Sequence, residues 1–598
     1  MNSKIKIAIL ITSFVLTAAT GYLMYSRFLA QEFWGYWPIL LWGSFWAFIL
    51  IATESRFSKH PKKWRLLGLS TATGVLLSLG FPPIPLTSLM FLAFVPLLIV
   101  EKEISIFREG TSKWEVFKYS YNAFVIWNIL STYWVTNTAF VAAFLAIFIN
   151  SLFMAIPIVL FHQVGKKLNQ KMKWAAFIAF WITFEYIHLR QELSWPWLTL
   201  GNSFAEFPTW VQWYSFTGVF GGTLWILLAN VLFYKVISLY YFNKIPITLK
   251  RVLSPLALVI VPILLSLVMY FQYEEQGDKE VEVVIIQPNF EPHYEKFNLP
   301  AAEQFRRYMQ LSNEAITEDT DYLLWPETSL GSLNVGRFKN DTDIIEIKKF
   351  LSNHPKTKLV TGVSAYKIFE KREEHTPAIR SYVNINTGDT TFLEAYNAAI
   401  QIENEIDEIP LYKKSKLVPG AEFLPYRRIF FWLEDFVSKL GGTMAGYGSQ
   451  EDRGVFKSKE GTAVAPVICY ESIYGEYMTG YFKNGAQAIF IVTNDGWWDN
   501  TAGHKQHLMF ASLRAIEARR PVARSANTGV SAFINQRGDI RMATKYDEAV
   551  AIKDKILLND RITFYVRWGD LIGRIAIFLS ILLLLNAFVK WRLPEKPN

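Results

Sequence analysis

The order of polar and apolar positions divides this chain into a long apolar N-terminal part, a mixed middle part and one apolar stretch near the C-terminus. A stretch of about 20 apolar residues is the length that a membrane-spanning helix requires. The pattern predicts ten such helices, at Ile7–Tyr25, Trp34–Ile51, Leu66–Phe81, Leu86–Val100, Phe117–Thr136, Ala139–Phe161, Trp174–His188, Tyr214–Tyr240, Val252–Phe271 and Leu571–Val589. The fourth and seventh are short, so segments that are tilted, re-entrant or partly buried in the bundle are alternatives there.

The basic residues predict how these helices are oriented. Four clusters lie beside apolar stretches, within residues 56–65, 166–173, 244–251 and 590–596. Cytoplasmic loops of membrane proteins carry an excess of Lys and Arg. With the N-terminus inside, alternate crossings put all four clusters in the cytoplasm and residues 272–570 outside. A cleaved signal peptide is the alternative for the first stretch, although its flanks lack a clear small-residue cleavage site.

The middle part of the chain has a different pattern, of short runs rich in β-branched and aromatic residues. Such runs indicate buried strands. They occur at Val281–Gln287, Tyr322–Trp325, Lys358–Val363, Ser381–Ile385, Ala463–Cys469, Ala488–Thr493, Val522–Ser525 and Ser531–Ile534. Amphipathic stretches at Ala301–Leu311 and Gln506–Arg519 predict helices between some of them. This mixture predicts an α/β domain.

We therefore predict three parts. Residues 1–273 form N-terminal membrane helices with about nine spans, residues 274–568 form an extramembrane domain, and residues 569–598 form a C-terminal membrane helix with a cytoplasmic tail. Glu185 lies within an apolar run, where a carboxylate facing lipid is costly, so we expect its side chain to face the interior of the bundle.

Composition supports a membrane protein and narrows the chemistry. The chain is 51% hydrophobic and only 19% charged, whereas soluble proteins are about 25% charged. The net charge of +9 is not gathered on one soluble segment, so nucleic-acid binding is not predicted. The single cysteine, Cys469, excludes an intramolecular disulfide and a Cys-rich metal site. His504 and His507 alone make a poor metal site, and we predict no cofactor.

Three residues that follow strand-like runs are suited to nucleophilic acyl chemistry. Cys469 is a candidate nucleophile, Glu327 a candidate base and Lys414 a candidate donor to the oxygen of a tetrahedral intermediate. A thiol is mostly protonated at neutral pH, so a nucleophilic cysteine needs a base or a cation beside it. Each residue also has an ordinary alternative, namely a small buried side chain, a surface or helix-capping carboxylate, and a solvated ammonium. Spacing alone leaves these alternatives open.

Three segments resemble the signatures of the nitrilase, or carbon–nitrogen hydrolase, superfamily: Tyr322–Glu327, Lys414–Pro425 and Val467–Glu471. With apolar spans on both sides, the chain from about Leu66 onward resembles the bacterial apolipoprotein N-acyltransferase family. Further family-like segments are Tyr133–Val135, Ser194–Gly201, Asn494–Trp497, Gln506–His507, Arg514–Glu517, Asn527–Gly529 and Tyr565–Asp570. The first two predicted spans lie outside the resemblance.

The resemblance implies a fold and a reaction. The fold is an α/β nitrilase-like domain, an α-β-β-α sandwich, carried on a multi-span α-helical membrane bundle. In the reaction, the Cys469 thiol takes the sn-1 acyl chain of a phospholipid as a thioester. The chain then passes to the α-amine of a diacylglyceryl-cysteine apolipoprotein. The implied location is the bacterial inner membrane, with the catalytic domain on the periplasmic side.

The resemblance also assigns roles to residues. Glu327 is the base and Lys414 stabilises charge, and the spacing to Pro419 favours Lys414 over Lys413 and Lys416. Supporting roles fall to Glu422, Tyr470 and Glu471.

Two other functions are compatible with parts of the sequence. A membrane-tethered amidase or nitrilase acting on small amides would use the same three residues, because water and an amine compete for the same acyl-enzyme. Such an enzyme would not need a multi-span bundle. A transporter with an accessory domain is the other alternative, but the spans carry few charged residues and no detectable inverted repeat.

Overall fold

The computed structural model of this chain describes residues 3–107, 112–296, 298–369, 378–383, 389–430 and 446–593. They form two compact units. The first comprises residues 1–271 and 570–598, and the second comprises residues 272–569.

The first unit is helical, because a helix satisfies its backbone hydrogen bonds internally, as a segment inside a membrane must. Its α-helices are Ser3–Leu29, Trp37–Ala52, Glu54–Phe57, Lys63–Leu79, Val95–Phe107, Ser112–Thr132, Val135–Thr138, Phe140–Phe144, Asn150–Gly165, Gln170–His188, Tyr214–Thr217, Val219–Asn243, Leu249–Gln272 and Leu571–Arg592. Short 3₁₀ helices lie at Thr87–Phe91, Pro196–Leu198, Leu200–Glu206 and Pro208–Trp210.

Five helices in the described part of the chain are long and apolar enough to cross a membrane. They are Ser3–Leu29, Phe140–Gly165, Val219–Asn243, Leu249–Gln272 and Leu571–Arg592. The helix at Phe140–Gly165 includes one π-helical turn at Leu145–Ile149. The other predicted spans coincide with shorter or more polar helices, so the total of ten remains a prediction.

The fourth predicted span, Leu86–Val100, is not a single helix. Its first half forms the 3₁₀ helix Thr87–Phe91, and an α-helix begins only at Val95. Pro96 lies in the first turn of that helix, where the missing N–H of a proline costs nothing.

Glu185 faces the interior of its unit, as expected. Only 3% of it is exposed, and its carboxylate accepts hydrogen bonds from Trp181 Nε1 at 2.9 Å, Leu200 N at 2.8 Å and Thr223 Oγ1 at 2.7 Å. These donors lie on Gln170–His188, on the 3₁₀ helix Leu200–Glu206 and on Val219–Asn243, so one buried carboxylate joins three elements.

The second unit contains thirteen strands in the described residues. In chain order, β1 to β13 are Lys279–Gln287, Thr320–Asn334, Lys358–Phe369, Arg380–Val383, Thr390–Ile402, Leu411–Lys413, Phe456–Lys457, Ala463–Ile468, Ala488–Thr493, Val522–Ala526, Ala532–Ile534, Ile540–Arg541 and Val550–Leu558. Its α-helices are Ala301–Ala315, Thr342–Ser352, Arg427–Phe430, Gly475–Lys483, Ala502–Ala518 and Phe564–Trp568, and 3₁₀ helices lie at Val335–Asn340, Cys469–Ile473 and Asp495–Trp498.

Two sheets form the centre of this unit. One has the order β13-β1-β2-β3-β5-β4, with β6 paired to β5, and the other has the order β12-β11-β10-β9-β8-β7. Strands β1, β2 and β3 are parallel, as are β8, β9 and β10. Parallel strands are usually covered on both faces, and every residue of β8 and β9 is buried.

Side-chain contacts show that the two sheets face each other and that helices cover their outer faces. Between the sheets, Tyr322 of β2 meets Phe490 of β9 edge to face, with ring centroids 5.1 Å apart. Outside the first sheet, Tyr308 of Ala301–Ala315 stacks on Trp325 at 4.9 Å. Outside the second, His507 of Ala502–Ala518 contacts Arg524 of β10, with Nδ1 and Nη2 3.0 Å apart. The α-β-β-α sandwich that the resemblance implied is confirmed.

Candidate active site

Glu327 lies in β2 where the neighbouring strand comes unusually close. A Cβ atom on Gly362 of β3 would lie 2.6 Å from the Glu327 Cα and 2.8 Å from the Pro326 carbonyl oxygen. Only glycine fits there, because real Cβ contacts are longer than 3.0 Å. The next residue, Thr328, has a φ of +53°, a conformation that a β-branched residue rarely adopts. Backbone packing therefore fixes the direction of the Glu327 side chain.

Lys414 follows β6 and reaches two carboxylates. Its Nζ lies 3.3 Å from Glu327 Oε1 and 3.0 Å from Glu422 Oε1, and its side chain is 1% exposed. The amide of Asn397 on β5 donates to the same two oxygens, at 2.7 and 2.9 Å. The Lys414 N–H in turn donates to the Asn397 carbonyl at 2.8 Å. One ammonium and one amide thus hold Glu327 and Glu422 together.

The charges around Lys414 keep it protonated. Burial alone would lower the pKa of this lysine, but the carboxylates of Glu422 and Glu327 raise it well above its ordinary value. A buried ammonium that stays charged is suited to stabilising negative charge on a reacting oxygen.

Cys469 begins the 3₁₀ helix that follows β8, in a strained turn. Its φ is +48°, and it is 8% exposed. Burial raises the pKa of the thiol above its ordinary value, and the negative charge of Glu327 raises it further. The positive charge of Lys414 acts in the opposite direction and lowers the pKa of the thiol. The resting thiol therefore holds its proton at neutral pH, and a base must remove that proton when the sulfur attacks.

Glu471 joins the segment of Lys414 to that of Cys469. Its Oε1 accepts hydrogen bonds from Ser415 N and Tyr412 Oη, both at 2.7 Å, and from Tyr477 Oη at 2.9 Å. Its Oε2 accepts one from Ile468 N at 2.9 Å. Burial raises the pKa of Glu471, and these hydrogen bonds oppose the rise. The carboxylate therefore acts here as a structural link between two candidate catalytic segments.

Tyr470, the other predicted supporting residue beside Cys469, is 3% exposed. Its ring packs edge to face on Tyr474, with centroids 5.3 Å apart. It thus contributes to the buried surroundings of Cys469.

A buried polar network lies behind the Cys469 backbone. The Cys469 carbonyl accepts a hydrogen bond from Ser472 Oγ at 2.8 Å and lies 3.2 Å from His507 Nε2. His507 Nδ1 lies 3.0 Å from Asp495 Oδ1, and Arg524 pairs with the same carboxylate. Arg524 and His507 hold the pKa of Asp495, which burial alone would raise, below its ordinary value. His507, considered above as a metal ligand, is here a hydrogen-bonding partner of the turn at Cys469.

The alternative lysines point elsewhere. Lys413 Nζ lies 4.0 Å from the centroid of the Tyr396 ring, and Lys416 Nζ lies 5.1 Å from that of Tyr474. Lys414 is the lysine of this segment whose ammonium contacts Glu327 and Glu422.

Two polar residues of the site were missed at the level of sequence. Asn397 lies in a strand that we did not predict, and nothing in its local sequence marks it. Lys296 donates from Nζ to the Glu327 carbonyl at 3.2 Å and to Thr328 Oγ1 at 2.7 Å. Burial lowers the pKa of Lys296 to about 8, and the charge of Glu327 opposes this. Phe297, the next residue, lies outside the described residues.

Within the described residues, no group of three or more His, Cys, Asp and Glu side chains is arranged to hold a metal ion. What the side chains do offer is a buried thiol, carboxylates and a fixed ammonium whose charges act on one another. This combination is suited to acyl transfer through a covalent intermediate.

Comparison with known proteins gives matches to both units. The model of the apolipoprotein N-acyltransferase N-terminal domain matches residues 73–232, and the carbon-nitrogen hydrolase model matches residues 284–554. The apolipoprotein N-acyltransferase of Chlorobaculum tepidum is 29% identical over 539 residues, which cover 88% of this chain and 97% of that protein.

Two further similarities extend this comparison. The apolipoprotein N-acyltransferase of Geobacter metallireducens is 25% identical over 527 residues, which cover 86% of this chain and 93% of that protein. Among solved structures, Saccharomyces cerevisiae Nit3, a member of the nitrilase superfamily, is similar to this chain with a TM-score of 0.31 and 15% identity. The similarity covers 49% of this chain and 96% of the Nit3 chain.

Proposed function

We propose that this chain, which matches the models of the apolipoprotein N-acyltransferase N-terminal domain and of carbon-nitrogen hydrolases, transfers an acyl chain from a phospholipid to the N-terminal amine of a diacylated apolipoprotein. The transfer passes through a thioester on Cys469. The observation that carries this proposal is the cluster in which Lys414 contacts both Glu327 and Glu422. The charges of Glu327 and Lys414 act on the Cys469 thiol, and the described part of the chain has five apolar helices of membrane-spanning length.

In the first step, the Cys469 sulfur attacks the carbonyl carbon of the sn-1 ester while Glu327 takes the thiol proton. The carbonyl oxygen becomes negative and accepts a hydrogen bond from the Lys414 ammonium. The bond between that carbon and the glycerol oxygen then breaks. The glycerol oxygen leaves with the proton held by Glu327, giving a lysophospholipid and an acyl thioester. Proton transfer by a positioned carboxylate contributes roughly 100- to 10,000-fold in rate.

In the second step, the neutral α-amine of the lipid-modified cysteine attacks the thioester carbon. Glu327 takes one amine proton, the carbon–sulfur bond breaks, and the same proton returns to the sulfur. The products are an amide and the free Cys469 thiol. Because a thioester is a better acyl donor to an amine than an oxygen ester is, the covalent step makes the transfer feasible.

The remaining residues support this chemistry. Glu422 and Asn397 hold the Lys414 ammonium beside Glu327, with distances of 2.7 to 3.3 Å among them. Glu471 ties the segment of Lys414 to that of Cys469, and Tyr470 packs beside the nucleophile.

We place the protein in the bacterial inner membrane, with residues 272–569 on the periplasmic side. The four basic clusters support this orientation, because alternate crossings put all of them in the cytoplasm. Both substrates are lipids, which fits a catalytic domain attached to membrane helices at each end.

The proposal is tested by the intact mass of the purified protein after incubation with a phospholipid of defined acyl chains. We expect the mass of one acyl group to be added. The adduct should be absent in Cys469→Ala, removed by hydroxylamine and transferred to a diacylglyceryl-cysteine peptide. Turnover of small amides without an adduct from any phospholipid would contradict the proposal and leave a membrane-tethered amidase.

A further inference from the structure

The first two helices of the chain enclose an apolar groove. Ser3–Leu29 and Trp37–Ala52 line a cavity of about 980 Å³, at the upper end of the range for ligand pockets. Its walls are mostly aliphatic and small side chains, among them Ile9, Leu16 and Gly43, and the aromatic residues Tyr36 and Trp37 also line it. Only 17% of the apolar window of Ser3–Leu29 is buried inside the structure. This helix pair also precedes the residues matched by the family models, which begin at residue 73.

Two of the hydroxyl groups that line the groove, those of Ser13 and Ser44, are bonded to backbone carbonyls. Ser13 Oγ donates to the Leu10 carbonyl at 3.1 Å, and Ser44 Oγ donates to the Leu40 carbonyl at 2.6 Å. Because these hydroxyls are bonded to the backbone of their own helices, the groove favours a hydrocarbon ligand over a polar one.

One end of the groove is different, since Arg27 and Trp34 line it. Arg27 Nη1 donates to the Phe33 carbonyl at 2.8 Å, and its Nε lies 3.8 Å from Glu32 Oε2, with 37% of the Arg27 side chain exposed. An ion pair this long and exposed is worth little. A guanidinium has five N–H donors in a fixed fork that matches a phosphate. Trp34 is fixed at this end by a 2.7 Å hydrogen bond from Nε1 to the Met24 carbonyl.

We propose that this groove binds a bilayer phospholipid, with its phosphate on Arg27 and an acyl chain along the helix pair. An apolar groove that ends in a cation and tryptophan matches the chemistry of one phospholipid leaflet, in which hydrocarbon ends at an anionic headgroup. A membrane-spanning helix is the competing occupant. Such a helix is about 10 Å wide and about 30 Å long, so it occupies roughly 2,000 Å³ and would lie mostly outside the groove.

The test is photocrosslinking in lipid nanodiscs, with the full-length protein carrying Cys469→Ala so that acyl transfer plays no part. The probe is a phosphatidylglycerol with a photoreactive acyl chain, compared with the diacylglycerol that has the same chains and no phosphate. We expect the phospholipid probe to label peptides of Ser3–Leu29 and Trp37–Ala52 more strongly than the diacylglycerol probe does.

Two variants and a matched control sharpen the test. Gly43→Leu should reduce labelling of these peptides about tenfold, because the added side chain displaces methylene groups from apolar contact. A Cβ at Gly43 meets nothing within 4 Å, and the same is true of Gly68 on Lys63–Leu79, outside the groove. Gly68→Leu should therefore leave labelling unchanged. Arg27→Gln should reduce labelling by the phospholipid probe to the diacylglycerol level.

Three outcomes would overturn the proposal. They are equal labelling by the two probes in the parent protein, equal labelling of the Gly43→Leu and Gly68→Leu variants, and crosslinks from this helix pair to a protein in place of lipid. None of these outcomes bears on acyl transfer by Cys469, so this proposal and the proposed function fail separately.

Discussion

One ammonium group, that of Lys414, holds two carboxylates in a site where all three side chains are largely buried. The two carboxylates differ in what else they contact. Glu422 also accepts a hydrogen bond through Oε2 from Val418 N at 2.8 Å, so both of its oxygens are fixed by its own loop and by Lys414. The charge of Glu327 acts directly on the Cys469 thiol. We therefore propose that Glu327 transfers the proton and that Glu422 positions Lys414.

This assignment predicts the effect of Glu327→Gln. The amide keeps the size of the side chain but cannot take the thiol proton, so thioester formation should slow by roughly 100- to 10,000-fold. The measurement is the rate of acyl-enzyme formation by intact mass. The control is Glu318→Gln, an exposed carboxylate of the same unit, which should form the thioester at the parent rate. Parent-like acylation of Glu327→Gln would mean that another group is the base.

Lys296 predicts a pH dependence of stability. Its pKa is lowered from 10.5 to about 8 in the folded protein, so between these values the unfolded chain binds the proton more tightly. The contribution of Lys296 to the free energy of unfolding therefore rises as the pH increases from about 8 to 10.5. The cost of the buried charge, about 3 kcal/mol, is present in full below pH 8 and is lost by pH 10.5.

Lys296→Met removes this dependence. We expect the melting temperature of the variant, relative to the parent protein, to fall as the pH is raised from 7 to 10, because only the parent gains stability over that range. Thermal unfolding of the detergent-purified protein at both pH values measures it. Lys505→Met, at an exposed position, should follow the parent. A constant difference between Lys296→Met and the parent would show that Lys296 is not perturbed.

Strand packing decides where Glu327 points, and this can be tested through glycine. Gly362→Ala would place a methyl group 2.6 Å from the Glu327 Cα, so β2 and β3 must move apart. Overpacking of this kind costs about 1 to 3 kcal/mol, and the displaced base should also slow acylation. Gly331→Ala, on β2 itself with nothing within 4 Å of its added methyl group, is the matched control. Parent-like stability and acylation in Gly362→Ala would show that the strand contact does not position Glu327.

The strand pattern explains which parts of the site were predictable from sequence. The predicted runs at Val281–Gln287 and Ala488–Thr493 match β1 and β9 almost residue for residue, because buried parallel strands are continuously apolar. Strand β5, Thr390–Ile402, was missed because polar residues interrupt its pattern. It carries Asn397, whose role depends on pairing with β3 and on the approach of Glu422, more than 20 residues away. The sequence around Asn397 does not indicate how β5 pairs with β3 or that Glu422 approaches Asn397.

The break in the fourth predicted span could likewise not be predicted from hydrophobicity alone. A window of apolar residues predicted one span at Leu86–Val100, and the chain instead changes from a 3₁₀ to an α-helix there. Hydrophobicity measures whether a segment is buried, whereas the point at which a helix begins depends on residues such as Pro96. Sequence therefore predicted the apolar character of the segment correctly and its continuity wrongly.

The distribution of basic residues over the whole chain predicts how the chain is oriented in the membrane. Because the chain has a single cysteine, this orientation can be tested by labelling introduced cysteines. In a Cys469→Ala background, new cysteines can be introduced one at a time at exposed positions. We choose Glu32 and Glu318 for the expected periplasmic side, and Lys171 and Lys250 for the expected cytoplasmic side. The physical reason is that clusters of Lys and Arg stay in the cytoplasm.

A membrane-impermeant maleimide added to spheroplasts should label Glu32→Cys and Glu318→Cys at once, and should label Lys171→Cys and Lys250→Cys only after the membrane is permeabilised. Labelling of Glu318→Cys only after permeabilisation would put the catalytic unit in the cytoplasm and contradict the proposed location. Early labelling of both Lys171→Cys and Lys250→Cys, with Glu318→Cys protected, would mean an odd number of crossings before Lys171, because one span that fails to cross reverses the side of every later segment. The fourth predicted span, Leu86–Val100, would then be the first candidate for a re-entrant segment that does not cross the membrane, because it is α-helical only from Val95 onward.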